Sequence, residues 1–250
     1  MTEGHTLGVD SLRFYRIASP QEMRPFLVSV VGASNLWLFI TSNGGVSAGR
    51  RDADSAIFPY YTEDKIADNA DHTGGLSQFR VRLEDGTVAF WQPFAAIRPG
   101  DPATTRSLYK DFLGTTLVFE EARQDLGLCL RVAWQTSARY GIVRTCRLIS
   151  TADRRVDLEL LDGVQNLLPP GATAQVQNEL SILLDAYKRA ELEGETGLGL
   201  FYLNSALTDL AEASESLSAS VAWHVGLGQV THLLSGGQVD AFGNGRQLTT

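Results

Sequence analysis

Two cysteines in 250 residues, Cys129 and Cys146, are too few for a disulfide framework. No charged-then-apolar leader opens the chain, which begins MTEGHTLGVDSLRFYR. The thiols therefore read as reduced core residues, and the chain as cytoplasmic. No apolar run is long enough to span a bilayer, which excludes a membrane-crossing helix. Basic charge is short as well: 21 Lys and Arg stand against 29 Asp and Glu, a net charge of −8 with no basic stripe. Nucleic acid needs clustered cations on its phosphates, so it is not an expected partner. Histidine is scarce: His5, His72, His224 and His232. His224 and His232 can approach each other over a turn, but two imidazoles without a third ligand make no metal site. His72 follows Asp68, Asn69 and Asp71 in a polar loop and reads as solvated. GxSxG, HExxH and GxxxxGK[ST] are absent, and no GxGxxG lies between a strand and a helix. No catalytic residue, metal ligand or cofactor is assigned.

Short alternating segments dominate what is present. Residues 12–17, 26–31 and 36–41 are rich in β-branched and aromatic residues and are broken by Pro, Gly or Ser-Asn, as strands are. In LSQFRVRLEDGTVAFWQPF, Phe79, Val81 and Leu83 alternate with arginines. Asp85-Gly86 then offers the positive-φ turn of a two-residue hairpin loop. Further strands are expected at 115–121, 127–136, 140–150 and along RRVDLELLDGVQNLL, then at 198–204, 215–225 and 229–234. One segment has another period. Val176, Leu180, Leu183, Leu184 and Tyr187 recur at three- and four-residue spacing after Pro170, Gly171 and a capping Thr, which predicts a single helix near 173–191. Many short strands with turn signals define an all-β sandwich or barrel. The expected layout is one domain over 1–234 and a Gly-rich tail or linker over 235–250.

The stretch NGGVSAGRRDADSAIFPYYTEDKI, residues 43–66, reads as a long irregular loop, since Pro59 argues against a helix and Gly and Asp against a strand. Its aromatics suggest a contact surface. Sugar rings stack an apolar face on aromatic rings while polar neighbours bond their hydroxyls. Tyr60, Tyr61, Asp64, Trp91 and Phe94, at strand ends or in loops, are the candidate residues for a sugar or a domain interface. Trp37 and Trp134 fall in strand centres and read as core. Paired carboxylates for glycoside cleavage need a separation of roughly 5–10 Å across a sugar. The acidic residues here, Asp52, Asp54, Glu63, Asp64 and Asp68, read first as a solvated cluster.

The order of these pieces carries a resemblance. NGGVSAGR, the acidic-aromatic loop DSAIFPYYTEDKI, the hairpin residues Leu83, Glu84, Asp85, Gly86, Trp91 and Pro93, and the strand series through 168 are similar to the opening of glycoside hydrolase family 94 proteins, the cellobiose-phosphorylase-like group. The resemblance covers roughly residues 35–168 and rests on the ordered set of turns and strands. It implies a large antiparallel β-supersandwich of the galactose-mutarotase-like kind. It also implies that catalysis belongs to a separate (α/α)6 barrel carried on the same protein. The implied function is a non-catalytic, carbohydrate-binding-type domain that packs on and shapes that barrel. An oligosaccharide and the barrel would be its partners, and the intact enzyme could be a homodimer. The 43–66 loop would then contact the barrel or rim its mouth. The segment 172–190 departs from the pattern of the characterised phosphorylases. Two other readings stay open: a freestanding aldose epimerase, which needs a histidine base and a carboxylate in one pocket, and a purely structural, sugar-binding sandwich.

Overall fold

A computed structural model describes residues 13–95, 103–205 and 217–248. In chain order the strands are β1 (Phe14–Ala18), β2 (Leu27–Val30), β3 (Leu36–Thr41), β4 (Val46–Arg50) and β5 (Ala56–Phe58), then β6 (Gly74–Arg82), β7 (Val88–Trp91) and β8 (Thr104–Asp111). They continue as β9 (Thr116–Arg123), β10 (Leu128–Ser137), β11 (Gly141–Ser150), β12 (Asp157–Gln165), β13 (Lys188–Glu193), β14 (Leu198–Leu203) and β15 (Ser220–Ala222). Helix α1 (Glu63–Asp68) precedes β6, α2 (Ala174–Glu179) and α3 (Ser181–Tyr187) precede β13, and α4 (Gly236–Gly243) follows β15. None of these helices is long and apolar enough to cross a membrane.

The fold is an all-β antiparallel sandwich. One layer is a five-stranded sheet in the order β1-β8-β9-β10-β11. Against it lie the four-stranded sheet β2-β3-β4-β5 and the three-stranded sheet β12-β6-β7. The core between the layers follows from period-2 alternation. Leu128, Leu130, Val132 and Trp134 of β10 pack with Leu117 and Phe119 of β9 against Val28, Leu38, Ile40, Val46, Phe79, Val81 and Trp91. Each such fully buried side chain contributes about 1.5–3 kcal/mol. Cys129 pairs in register with Ile149, and Cys146 with Val132. The two thiols therefore point to opposite faces of the sheet, and both are free.

A second, smaller core joins Ala56, Leu168, Ala172, Leu184 and Leu203, with Trp37, Val176 and Tyr187 packed on it. It ties the α2–α3 segment and the small sheet β13-β14-β15 to the main sandwich.

Several elements differ from expectation, each for a local reason. The 43–66 segment is not one irregular loop. It holds β4, β5 and α1, because Val46, Ala48 and Phe58 can be buried in the main core. The expected helix near 173–191 is two helices broken at Leu180, whose backbone (φ −126°, ψ 29°) leaves the helical region. Lys188–Glu193, rich in helix formers, is strand β13 instead, since pairing with β14 overrides propensity. The hairpin after β6 closes through three residues, Glu84, Asp85 and Gly86, not two. Leu83 N–H bonds Thr87 O, Gly86 N–H bonds Leu83 O, and Gly86 takes φ +84°. The strand expected at 215–225 is confined to Ser220–Ala222 among its described residues, and none forms at 229–234. The tail contains α4, opened by a capping box of Ser235 and Gln238. That helix buries Phe242, and its end lies against Gln78 and Phe90 on the outer face of β6 and β7. His5 lies outside the described residues.

Candidate functional site

Two inward-facing charged pairs stand out between the layers, where inner strand positions should be apolar. The first is centred on Glu121, 2% exposed on β9. Its register partners are Leu130 and Arg106, so the carboxylate projects into the interlayer space. It accepts from Trp91 Nε1, Phe94 N and Arg106 Nε, each at 2.7 Å. Arg106 Nη2 also donates to Ala95 O at 2.5 Å. Four polar groups are thus satisfied around one buried anion, as burial of a charge requires. The network fixes the turn after β7, including Phe94 at φ +66°.

The second pair joins the two layers. Arg144 of β11 meets Asp162 of β12 through Nη1 at 2.8 Å and Nη2 at 3.0 Å, and Ser77 Oγ at 2.8 Å. Ser77 donates to Asp162 at 2.5 Å. Burial alone would pull the guanidinium pKa down, but the charge and hydrogen bonds of Asp162 outweigh it and the net shift is upward. The Arg144 side chain lies 6.0 Å from the centre of the Trp134 ring. Gly75 makes room for both: a Cβ there would sit 2.5 Å from Arg144 Nε and 3.0 Å from the Trp134 ring. Cys146 Sγ also approaches Asp162, at 3.4 Å, and burial pushes this thiol up to about 12 against the opposing pull of Arg144.

Between these networks runs a narrow cleft. Asn43 and Gly44 of the β3–β4 turn, Asp71 after α1, Gln92 and Phe94 after β7, and Trp134 and Arg144 line it. The cleft therefore gathers one candidate residue, Phe94, with the start of the 43–66 segment and the turn after α1. Phe94 packs edge-on against Phe119 at 5.8 Å.

The other candidate residues lie elsewhere. Trp91 is 2% exposed, stacked on Phe79 at 4.9 Å and bonded to Glu121, so it is core and offers no face to a sugar. Tyr60 is 49% exposed and stands edge-on to Trp37 at 5.5 Å. Tyr61 is half-buried, and its hydroxyl pKa is raised by burial and by the charge of Asp185 on α3. Asp64 is exposed in the first turn of α1, where a hydrogen bond from Thr62 lowers its pKa. Asp54 accepts from Ala174 N at 3.1 Å, so this part of the acidic cluster holds the start of α2. The loop expected to face outward thus anchors the α2–α3 segment within the chain.

Among the described residues no histidine lines the cleft. His72 is exposed beyond α1, and His224 and His232 do come together, with ring centres 5.2 Å apart. Among the described residues no group of three metal-ligating side chains forms. The sequence reading missed Glu121, Arg106, Arg144 and Asp162. For Glu121, Arg144 and Asp162 a signal was present, a charge at an inward position of an expected strand, where alternation calls for an apolar residue; Arg106 lies on β8, which alternation does not reveal.

Fold and site together define an all-β sandwich with internally paired charges and a narrow cleft. No protein family description matches the chain, and no curated protein matches it.

Proposed function

We propose that this sandwich is the non-catalytic, carbohydrate-binding-type domain of a larger carbohydrate-active enzyme, related to the cellobiose-phosphorylase-like group. In that reading it packs on a separate (α/α)6 catalytic barrel and helps shape its mouth. The observation that carries the reading is the α2–α3 segment. Leu180, Ile182 and Leu183 are 43%, 87% and 43% exposed, while Leu184 alone among α3's residues is buried. A short helix that leaves Ile182 and Leu183 in solvent beside Leu180 is built to be covered, and contiguous exposed apolar surface marks an interface. The cleft favours this over the epimerase reading, because Arg144 on its wall is paired with Asp162 and, among the described residues, no imidazole lines it. The test compares two proteins: the 250-residue chain, and the longest natural translation product that contains it. Both are assayed for phosphorolysis and hydrolysis of glucosides. Turnover by the longer product alone supports the proposal. Turnover by the 250-residue chain, or by neither, overturns it.

A further inference from the structure

One exposed aromatic pair is used by neither the cleft nor the α2–α3 surface. Tyr140, in the β10–β11 turn, is 52% exposed, and Trp223, just after β15, is 48% exposed. Their ring centres lie 6.4 Å apart with planes inclined by 64°. The rings come from different sheets, so their meeting is a product of the tertiary fold. The turn is held in place: Ser137 Oγ accepts from the backbone N–H of Arg139 and of Tyr140, at 3.2 Å each, and Gly141 takes φ +78°. Arg139 is exposed, with its guanidinium carbon 5.2 Å from the centre of the Tyr140 ring. Among the described residues it enters no ion pair.

We infer that Tyr140, Trp223 and Arg139 form a saccharide-binding platform for a neutral sugar residue. This rests on the carbohydrate reading above and names the ligand class for a site outside the cleft. An aromatic face matches the apolar C–H face of a pyranose, and hydroxyl oxygens accept from an unpaired guanidinium beside it. The inclined rings present one face and one edge, which suits a single sugar unit better than a flat run of several. The charge around it argues against other ligands. A lone arginine on a chain of net charge −8 is too little for a nucleic acid, which needs clustered cations. It is equally too little for an anionic lipid surface, which needs several.

The test is an NMR titration of the whole chain with cellobiose, cellotetraose and maltotetraose, following the indole N–H of each tryptophan and, in the variants, the backbone N–H of Tyr140 and Gly141. Saccharide-dependent shifts are expected at Trp223 and not at Trp91 or Trp134, which are buried. Trp223→Ala and Tyr140→Ala should each weaken the affinity about tenfold or more, and Arg139→Gln by less. Leu113→Ala, equally on the surface at 74% exposure, should leave it unchanged and so controls for general stickiness. No shift at Trp223, or shifts that persist in both alanine variants, overturns the platform. The two proposals fail separately. If the longer product cleaves glycosides while Trp223 ignores saccharide, only the platform falls. If Trp223 binds saccharide and no product acts on glycosides, the platform stands and the accessory-domain reading falls.

Discussion

Replacing Glu121 by alanine removes one carboxylate and strands three donors. Arg106 Nε, Trp91 Nε1 and Phe94 N all lose a 2.7 Å bond. The Arg106 side chain is only 11% exposed, so water can replace little of what it loses. Removing one partner of a buried ion pair costs about 3–5 kcal/mol, and each buried neutral donor left unpaired costs about 1–3 kcal/mol. The terms overlap, because the turn can shift once its anchor is gone. The expected loss is therefore about 5 kcal/mol, not the full sum. For a chain of this size that lowers Tm by roughly 10–20 °C. Urea unfolding followed by tryptophan fluorescence reads the stability. Near-UV circular dichroism reads the packing of Trp91 on Phe79. Glu121→Gln keeps one carbonyl acceptor but turns an NH2 toward donors, and should fall between wild type and alanine. In a double-mutant cycle, Glu121→Ala with Arg106→Ala should show a coupling of about 2 kcal/mol or more, since removing both leaves no orphaned charge. A Glu121→Ala loss below about 1 kcal/mol would refute the reasoning, because a single stranded buried donor should already cost that much.

Four further outcomes are expected. The Cys146 thiol is held neutral in the fold, with its pKa raised from 9.0 to about 12 by burial foremost. The unfolded chain then loses this proton near pH 9 while the folded chain keeps it. Stability from this group is complete below pH 9 and falls by about 1.4 kcal/mol per pH unit until pH 12; urea titrations of Cys146→Ala should lack that slope. Gly75→Ala should cost about 1–3 kcal/mol by overpacking against Arg144 and Trp134, and equilibrium unfolding checks it. Phe242→Ala should cost about 3 kcal/mol and raise hydrogen exchange along β6 and β7, if α4 covers that face. Ile182→Lys should leave the stability of the 250-residue chain within about 0.5 kcal/mol, yet weaken interdomain packing in a longer product, read as a separated second unfolding transition.

The sequence makes the strands legible where one face is buried and the other wet. β3, β9, β10, β11 and β12 were expected within a few residues because their apolar positions alternate. β8 was not, because its inward row is Arg106, Leu108 and Lys110, and the arginine that breaks the pattern is the one that neutralises Glu121. Alternation detects burial of apolar groups and is blind to a buried charge whose partner lies fifteen residues away. β13 was hidden for a different reason: Lys188, Arg189, Ala190 and Glu191 favour a helix, and only the ladder with β14 makes them a strand. The candidate site was legible in part for the same reasons. Phe94 was recognisable as a loop aromatic, but the groups that hold its turn come from β8 and β9, and no local pattern predicts that meeting.

Val221, Trp223 and Val225 fall at every second position, which in a finished sheet would place them against a core. Only Ser220–Ala222 pairs with β14, and the three large residues remain 45%, 48% and 85% exposed. The pattern is therefore a short strand and the stretch just beyond it, with these apolar side chains turned to solvent. Folding of the chain alone gives no reason to keep such a row, since each exposed apolar side chain forgoes the burial that would stabilise the fold. A ligand or a second domain that covers it does give one. At Trp223 the neighbouring Tyr140 and Arg139 add a ring and a donor, which is chemistry for a sugar. At Ile182 and Leu183 the exposed side chains are aliphatic and offer no ring to a sugar, which suits the proposed domain interface. Trp223→Ala and Ile182→Lys should separate the two surfaces: the first should weaken saccharide binding about tenfold or more without altering interdomain packing, and the second should disturb interdomain packing and leave saccharide binding unchanged.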